Sequence, residues 1–145
     1  MIKFILLVNK QGHTRFSNYY DESIKREERS WIEAEIVRKC LTRNEKQCSF
    51  LEYRNYRVVY RRYASLFFIV GIDEKENELA IYEFIHNLVE ILDRYFRGVC
   101  ELDLIYNLEK VHILVDEMIW NGHIIETCAK KILAPLSYME KANQN

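Results

Sequence analysis

The chain has 145 residues, of which 49% are hydrophobic and 30% charged, and its formal net charge at pH 7 is −1. This length and hydrophobic content suit one globular domain with a substantial core, and a charge so close to zero argues against a general affinity for nucleic acid. Its uninterrupted apolar runs, of about five residues, are too short to span a membrane.

The N-terminal segment is predicted to form a β-strand from Met1 to Asn9. Both of its faces are apolar, which is typical of a central strand covered on both sides. A signal peptide would need a longer apolar region and a small-residue cleavage site. A turn at Gly12 leads to a more polar strand from His13 to Asn18, which we expect at an edge of the sheet.

A long helix is predicted from Lys25 to Arg43. Ile32, Ile36 and Cys40 recur at helical spacing and form its inward stripe. Much of the remaining surface of this helix is charged, so we expect it to cover one face of a sheet.

Three short strands joined by two tight turns are predicted between Ser49 and Ile72. The first two alternate in polarity and are rich in aromatic and β-branched residues, which favours strands. The third is apolar at every position from Leu66 to Val70, which indicates burial on both faces. Connections of two or three residues require neighbouring strands to be antiparallel.

The rest of the chain is predicted to be helical, with breaks at glycine and asparagine. An acidic loop precedes the first of these helices and favours its N-terminus through the helix dipole. Gly98 ends that helix, Asn121-Gly122 breaks the chain again, and Pro135 interrupts or bends the last helix. The predicted ranges are Asp73–Glu78 for the loop and Glu76–Arg97, Glu101–Trp120 and Glu126–Lys141 for the helices.

This order of elements predicts a single α+β domain in which an antiparallel sheet carries helices on both faces. The second and third helices are apolar around much of their circumference, beyond what one small sheet can cover. Two explanations remain open: a permanent partner subunit with an interface above roughly 2,000 Å², or packing of helix on helix within the domain.

Motifs for catalysis, cofactors or metals are not evident. The four glycines cannot supply a phosphate-binding loop, and no histidine has metal-ligand spacing from another histidine or a cysteine. We therefore expect no enzyme activity, no cofactor and no metal site. The cysteines (Cys40, Cys48, Cys100 and Cys128) lack the spacing of zinc or redox motifs, and we expect them to be buried, reduced thiols.

A run of arginines alternates with tyrosines in the strand region, and three interpretations are open. It could stack nucleic-acid bases, form an exposed strand face whose arginine stems cover aromatic rings, or make a salt-bridged contact with a partner protein. The near-zero net charge favours the second interpretation over the first. The run comprises Arg54, Arg57, Arg61 and Arg62 with Tyr53, Tyr56, Tyr60 and Tyr63.

Several segments resemble the sigma (small) subunits of heterotetrameric adaptor protein complexes, in the same order and spacing. They are MIKFILLVNKQGHTR, EYRNYRVVYRRYASLFF, ENELAIYEFIHNLVEILDRYF, VCELDLIYNLEKVHILVDEM and NGHIIET. The resemblance extends to about residue 135. VNKQG, CSFLEY and NELAIYEFIHN look most like the sigma subunit of the type-four adaptor complex.

The resemblance implies a longin-like fold, with a five-stranded antiparallel sheet and helices on both faces, and a cytoplasmic, non-enzymatic role. Its implied partners are large epsilon-type and beta-type subunits, a medium mu subunit, an Arf-family GTPase acting through the complex, and cargo sorting-signal peptides. The complex would associate peripherally with the trans-Golgi network and transport vesicles, and nucleic acid would play no part.

A coatomer-type small subunit or another longin-domain trafficking protein is the alternative. A longin SNARE would need a C-terminal heptad helix or a membrane anchor, and we expect neither, because the sequence ends at Asn145 without them.

The resemblance also implies a pocket for acidic dileucine sorting signals. Arg15 would face the acidic end of the signal, helped by the large subunit. Gly98 departs from the pattern, because relatives commonly have Asn there, and a lost side-chain hydrogen bond would weaken or retune the pocket. The alternative is that the apolar residues are simply core. The pocket residues implied are Ala64, Leu66, Val89, Gly98, Val99 and Leu104.

Overall fold

A computed structural model describes residues 1–43 and 49–144. Five strands form one antiparallel sheet in the order β2-β1-β5-β4-β3, and two further strands form a small hairpin. The elements are β1 Ile2–Asn9, β2 Thr14–Tyr19, α1 Arg26–Thr42, β3 Phe50–Tyr53, β4 Tyr56–Tyr63, β5 Leu66–Ile72, α2 Glu78–Phe96, α3 Glu101–Tyr106, α4 Leu108–Met118, β6 Ile119–Trp120, β7 His123–Ile124 and α5 Ala129–Gln144.

The two apolar strands lie at the centre of the sheet, as predicted. β1 pairs with β5 in antiparallel register, with Leu6 opposite Ile69, and the polar strand β2 forms one edge. Gly71 lies inside β5 rather than at an element end. Glycine is needed there because a Cβ would come within 2.3 Å of the Phe4 ring. The missing side chain lets that ring cross the neighbouring strand.

Helices cover both faces of this sheet, which confirms the predicted fold class. Phe4 and Leu6 of β1 pack with Ile32, Ile36 and Cys40, the predicted inward stripe of α1. The alternate residues of β1 and β5 face α2, α4 and α5 in a second and larger cluster. That cluster buries much of the apolar surface of α2 within the domain, so helix-on-helix packing accounts for part of the predicted excess.

The second helix begins at Glu78, two residues later than predicted, because Asn77 caps it. The Asn77 side chain accepts hydrogen bonds from the backbone N–H groups of Leu79 and Ala80, which would otherwise lack partners. Its C-terminal cap is Arg97, which adopts a left-handed conformation with φ of 54°.

The single helix predicted from Glu101 to Trp120 is wrong. Asn107 has φ of −129° and ψ of 35°, which divides the segment into α3 and α4. Its carbonyl accepts hydrogen bonds from the amides of Lys110 and Val111, so it starts a new helix. Asparagine competes with helical hydrogen bonding and favours such boundaries.

Asn121 and Gly122 are the turn of a hairpin rather than a simple break. They have φ of 49° and 81°, the positive values that a two-residue hairpin turn requires, and Trp120 pairs with His123 across it. The Gly122 carbonyl accepts a 2.7 Å hydrogen bond from Ile2, which ties the hairpin to β1.

The last helix was predicted to be interrupted or bent at Pro135. It runs through this residue without interruption. It begins at Ala129 rather than Glu126, because the Glu126 carboxylate accepts hydrogen bonds from the backbone N–H groups of the next two residues and stays outside the helix. Ile132 and Leu136 are its buried contacts with the core.

Candidate functional site

Four of the predicted pocket residues lie in one contiguous core cluster. Leu66 comes from β5, Val89 from α2, Val99 from the loop after it, and Leu104 from α3. Their exposed fractions are 0, 6, 3 and 0%. The position is therefore closed by the packing of the chain itself, and an apolar ligand would enter only if these side chains or α3 shifted.

Ala64 lies apart from that cluster, in the exposed turn between β4 and β5, where it has φ of 51°. It lines a cavity of about 470 Å³ together with Cys40, Phe67 and Tyr82. None of the other predicted pocket residues lines this cavity. A role for Ala64 in the pocket stays a prediction.

Asp93 joins the two surface segments of the predicted pocket, and sequence reasoning missed it. One of its carboxylate oxygens accepts a 2.8 Å hydrogen bond from the backbone N–H of Val99. The other accepts a hydrogen bond from the Tyr63 hydroxyl, one residue before Ala64. The hydrogen bond to Asp93 raises the pKa of Tyr63, and desolvation and the charge of Asp93 add to the shift. This carboxylate, on α2, thus links the end of β4 to the loop that carries Gly98 and Val99.

Gly98 has φ of +102°, a conformation that side chains rarely adopt. A Cβ at this position would meet no atom within 4 Å, so space is not what favours glycine here. An Asn in this backbone would be strained, even though Asn tolerates left-handed conformations better than most residues. The backbone of this loop therefore favours glycine over a residue with a side chain at position 98.

Arg15 lies on β2 and contacts Glu101, the first residue of α3. Its Nε donates a 2.8 Å hydrogen bond to Oε1 of Glu101, and the same oxygen accepts a 2.8 Å hydrogen bond from Nδ2 of Asn9. The side chains of Arg15 and Glu101 are 33% and 27% exposed. The predicted contact of Arg15 with a sorting signal would thus form where a carboxylate of the chain already lies.

Hydrogen bonds from Asn9 and Arg15 lower the pKa of Glu101, against a smaller opposing effect of burial. Glu101 is also the first residue of α3, where negative charge is favourable. The carboxylate is therefore held in its ionised form by local contacts. No signal in the sequence pairs Glu101 with Arg15, because the contact joins residues from β2 and α3.

The arginines of the strand region contact aromatic rings and polar groups of the chain itself. The Arg61 guanidinium lies 5.2 Å from the centre of the Tyr82 ring and 2.9 Å from Nδ1 of His86, and Arg54 lies 5.3 Å from the ring centre of Tyr53. These contacts favour the interpretation of arginine stems covering aromatic surface. Arg57 also pairs with Glu78, and the Arg62 guanidinium lies 5.9 Å from the ring centre of Phe67.

The cysteines differ from the predicted uniform burial. Cys40 is buried, and burial raises the pKa of its thiol to about 12. Cys100 and Cys128 are exposed, since they lie in loops and not on a core-facing stripe. Cys48 falls outside the described residues.

Residues 1–43 and 49–144 contain neither a cluster of metal ligands nor a membrane-spanning helix. Among these residues, no group of three or more His, Cys, Asp or Glu side chains is placed to hold a metal ion. No helix in this part of the chain is both long and apolar enough to cross a bilayer.

Comparison with known proteins identifies the family. A model of the clathrin adaptor complex small chain matches residues 1–143. The AP-4 complex subunit sigma of Arabidopsis thaliana is 60% identical over 142 residues, 98% of this chain and 99% of that protein. The human AP-4 complex subunit sigma-1 is 53% identical over 145 residues, the full length of both. The chain therefore belongs to the clathrin adaptor complex small chain family.

A structural comparison agrees. The fold matches a chain in a homology model of the full-length AP-3 complex in a stretched open conformation, with a TM-score of 0.78, 30% identity, and coverage of 99% and 96% of the two chains. The resemblance to the type-four sigma subunit is confirmed by the names of both relatives. The non-enzymatic role is confirmed by the family, since adaptor small chains are structural proteins of vesicle trafficking.

Proposed function

We propose that this chain is the small subunit of a type-four heterotetrameric adaptor complex that selects cargo at the trans-Golgi network. Its partners are large epsilon-type and beta-type subunits and a medium mu subunit, and an Arf-family GTPase recruits the complex to the membrane. The observation that carries the proposal is the full-length similarity to two AP-4 sigma subunits. The chain reaches the membrane only through the complex.

An exposed apolar surface on α3 supports the need for a partner. Leu102, Ile105 and Tyr106 are 60, 46 and 79% exposed, whereas Leu104 between them is fully buried. Leu108, which starts α4, is a further exposed apolar residue. Clustered apolar side chains of this kind mark interaction surfaces, and we infer that a large subunit covers them.

Co-purification of the chain with its large subunits tests this assembly. The double variant Leu102→Asp, Ile105→Asp should lose the large chains, because charge would be buried in the interface. Trp31→Asp is the matched control, since Trp31 is 62% exposed on α1 at the other face of the sheet. A wild-type chain that is stable and monodisperse and does not bind the large chains would overturn the assembly.

We infer further that the cluster of Leu66, Val89, Val99 and Leu104 receives the two leucines of an acidic dileucine signal. Burying two leucyl side chains contributes about 1.5–3 kcal/mol each, and an exposed pair of Arg15 with the acidic residue adds up to ~1 kcal/mol. Part of this gain is spent on opening a cluster that is closed in the free chain. The net result is weak and reversible binding, which suits cargo that must later be released.

Binding of an acidic dileucine peptide to the reconstituted complex tests the pocket. Val89→Asp should abolish capture, because it places a charge in an apolar site. Val89→Met fills the site without adding charge and should also weaken binding. It gives the test if the aspartate variant does not fold. Ala80→Asp on the exposed start of the same helix is the control. Unchanged capture by both Val89 variants would remove Val89 from the site.

A further inference from the structure

Glu101 already provides Arg15 with the carboxylate that a sorting signal is expected to bring. The contact is between Arg15 Nε and Glu101 Oε1 at 2.8 Å. It is formed within the free chain, between the strand β2 and the first residue of α3. The position of the pair is therefore fixed by the fold before any ligand arrives.

Asn9 makes this pair more rigid than an ordinary surface ion pair. Its Nδ2 donates a 2.8 Å hydrogen bond to Glu101 Oε1, and Asn9 is only 3% exposed. Its Oδ1 accepts a 2.8 Å hydrogen bond from the backbone N–H of His13, so the β1–β2 turn holds the amide in place. A carboxylate held from two sides loses less conformational entropy in pairing than two free side chains would.

We propose that Glu101 is an internal substitute for the acidic residue of a sorting signal and so sets how strongly Arg15 selects for acidic signals. This inference rests on the proposed function of the pocket. In the free chain the charge of Arg15 is cancelled by Glu101. A signal with an acidic residue must displace Glu101 or approach a pair that has no net charge. Its acidic residue therefore adds little binding free energy compared with a neutral residue at the same position.

Glu101 could instead help binding by orienting Arg15, and the two roles predict opposite effects. Glu101 contacts Nε only, which leaves the terminal nitrogens of Arg15 without another hydrogen-bond partner among the described residues. The Glu101→Gln variant retains a carbonyl oxygen that can accept from Arg15 and Asn9 but removes the charge. An orienting role would leave this variant equal to the wild type or weaker, whereas internal substitution makes it more selective for acid.

Three peptides and three versions of the reconstituted complex give the test. The peptides carry a Leu-Leu pair with an upstream Glu, the same pair with Gln in place of Glu, and Ala-Ala with Glu. The complexes contain the wild-type chain, Glu101→Gln, or Glu109→Gln. The last is the control, because it removes a charge from an exposed residue of α4 that does not contact Arg15. Fluorescence anisotropy measures each dissociation constant.

Replacing Glu by Gln in the peptide should change the dissociation constant by less than about twofold in the wild type and in Glu109→Gln, and by about threefold or more in Glu101→Gln, as expected for one exposed charge pair. An equal ratio in all three complexes, or weaker binding of the acidic peptide by Glu101→Gln, overturns the inference alone. Equal binding of the Leu-Leu and Ala-Ala peptides would refute the pocket itself, and the inference with it.

Discussion

The two faces of the sheet are covered in different ways. On one face the single uninterrupted helix α1 closes a compact cluster that includes Ile36. On the other face α2, α4 and α5 contribute to a larger cluster, and the short helix α3 lies between α2 and α4 in the chain. The predicted pocket residues in the core all lie on this second face.

Polar contacts at the margins follow the same division. On the α1 face, the hydroxyls of Tyr19 and Tyr53 donate to Glu33 and Glu35, which tie the helix to both edges of the sheet. On the other face, Asp93 of α2 ties its helix to the end of β4 through Tyr63, and it also holds the loop after the helix through the backbone of Val99. Loops open at lower free energy than packed helices, so we expect the loop that carries Gly98 and Val99 to open more readily than α1.

The largest expected effect is on stability at the α1 face. Ile36→Ala should lower the free energy of opening by about 2–5 kcal/mol, because it leaves a cavity at a fully buried position. Amide hydrogen exchange of the assembled complex measures this as lost protection along α1. Peptide binding at the opposite face should be unchanged in the complex that remains folded.

Arg38→Ala is the control for this prediction, since Arg38 lies on the exposed side of the same helix and its loss should change stability by less than about 0.5 kcal/mol. A large loss of peptide binding in Ile36→Ala would show that the two faces do not act independently.

A smaller and more local effect is expected around Asp93, where α2 meets the end of β4 and the loop that carries Val99. Asp93→Asn removes the charge that both Tyr63 and Val99 contact, and only one of the two can still donate to the remaining carbonyl oxygen. We expect a loss of about 1–2 kcal/mol in the local free energy of opening. Faster amide exchange at positions 97–100, with α1 unaffected, is the measurement.

This variant also bears on the pocket. If the loop must open to admit a signal, Asp93→Asn should bind dileucine peptides as well as the wild type or better, despite its lower local stability. Loss of binding together with faster exchange would mean that the closed loop is the binding-competent form.

The sheet and its central strands could be predicted from sequence because the apolar pattern is local. Leu66 to Val70 is apolar at every position, which indicates a covered strand wherever the rest of the chain lies. The break at Asn107 was missed because the apolar periodicity continues through it, and periodicity does not register one residue that leaves the helix.

The polar contacts of the candidate site could not be predicted. Arg15 was singled out by resemblance, but its partner Glu101 is 86 positions away, and Asp93 reaches Tyr63 across 30 positions. Charged residues at such separations follow no spacing rule, because only the tertiary packing of apolar residues brings them together. The apolar members of the site were accessible to sequence reasoning, and their electrostatic control was not.

The last and smallest expected effect is a difference in thiol reactivity between the two faces, which can be measured without changing a residue on either face. Cys40 is buried on the α1 face with its pKa raised to about 12, whereas Cys100, just before α3, is exposed. The thiolate is the reactive form, so a maleimide at pH 7.5 should label Cys100 and Cys128 and spare Cys40, as read by mass spectrometry of peptides. Because the folded-state pKa of Cys40 lies above its ordinary value of 9.0, the folded state holds this proton more tightly. The stability contributed by Cys40 is therefore complete below pH 9 and declines as the pH rises towards 12. Rapid labelling of Cys40 at pH 7.5 would show that α1 opens as readily as the loop held by Asp93, and would contradict the expected difference in opening between the two faces.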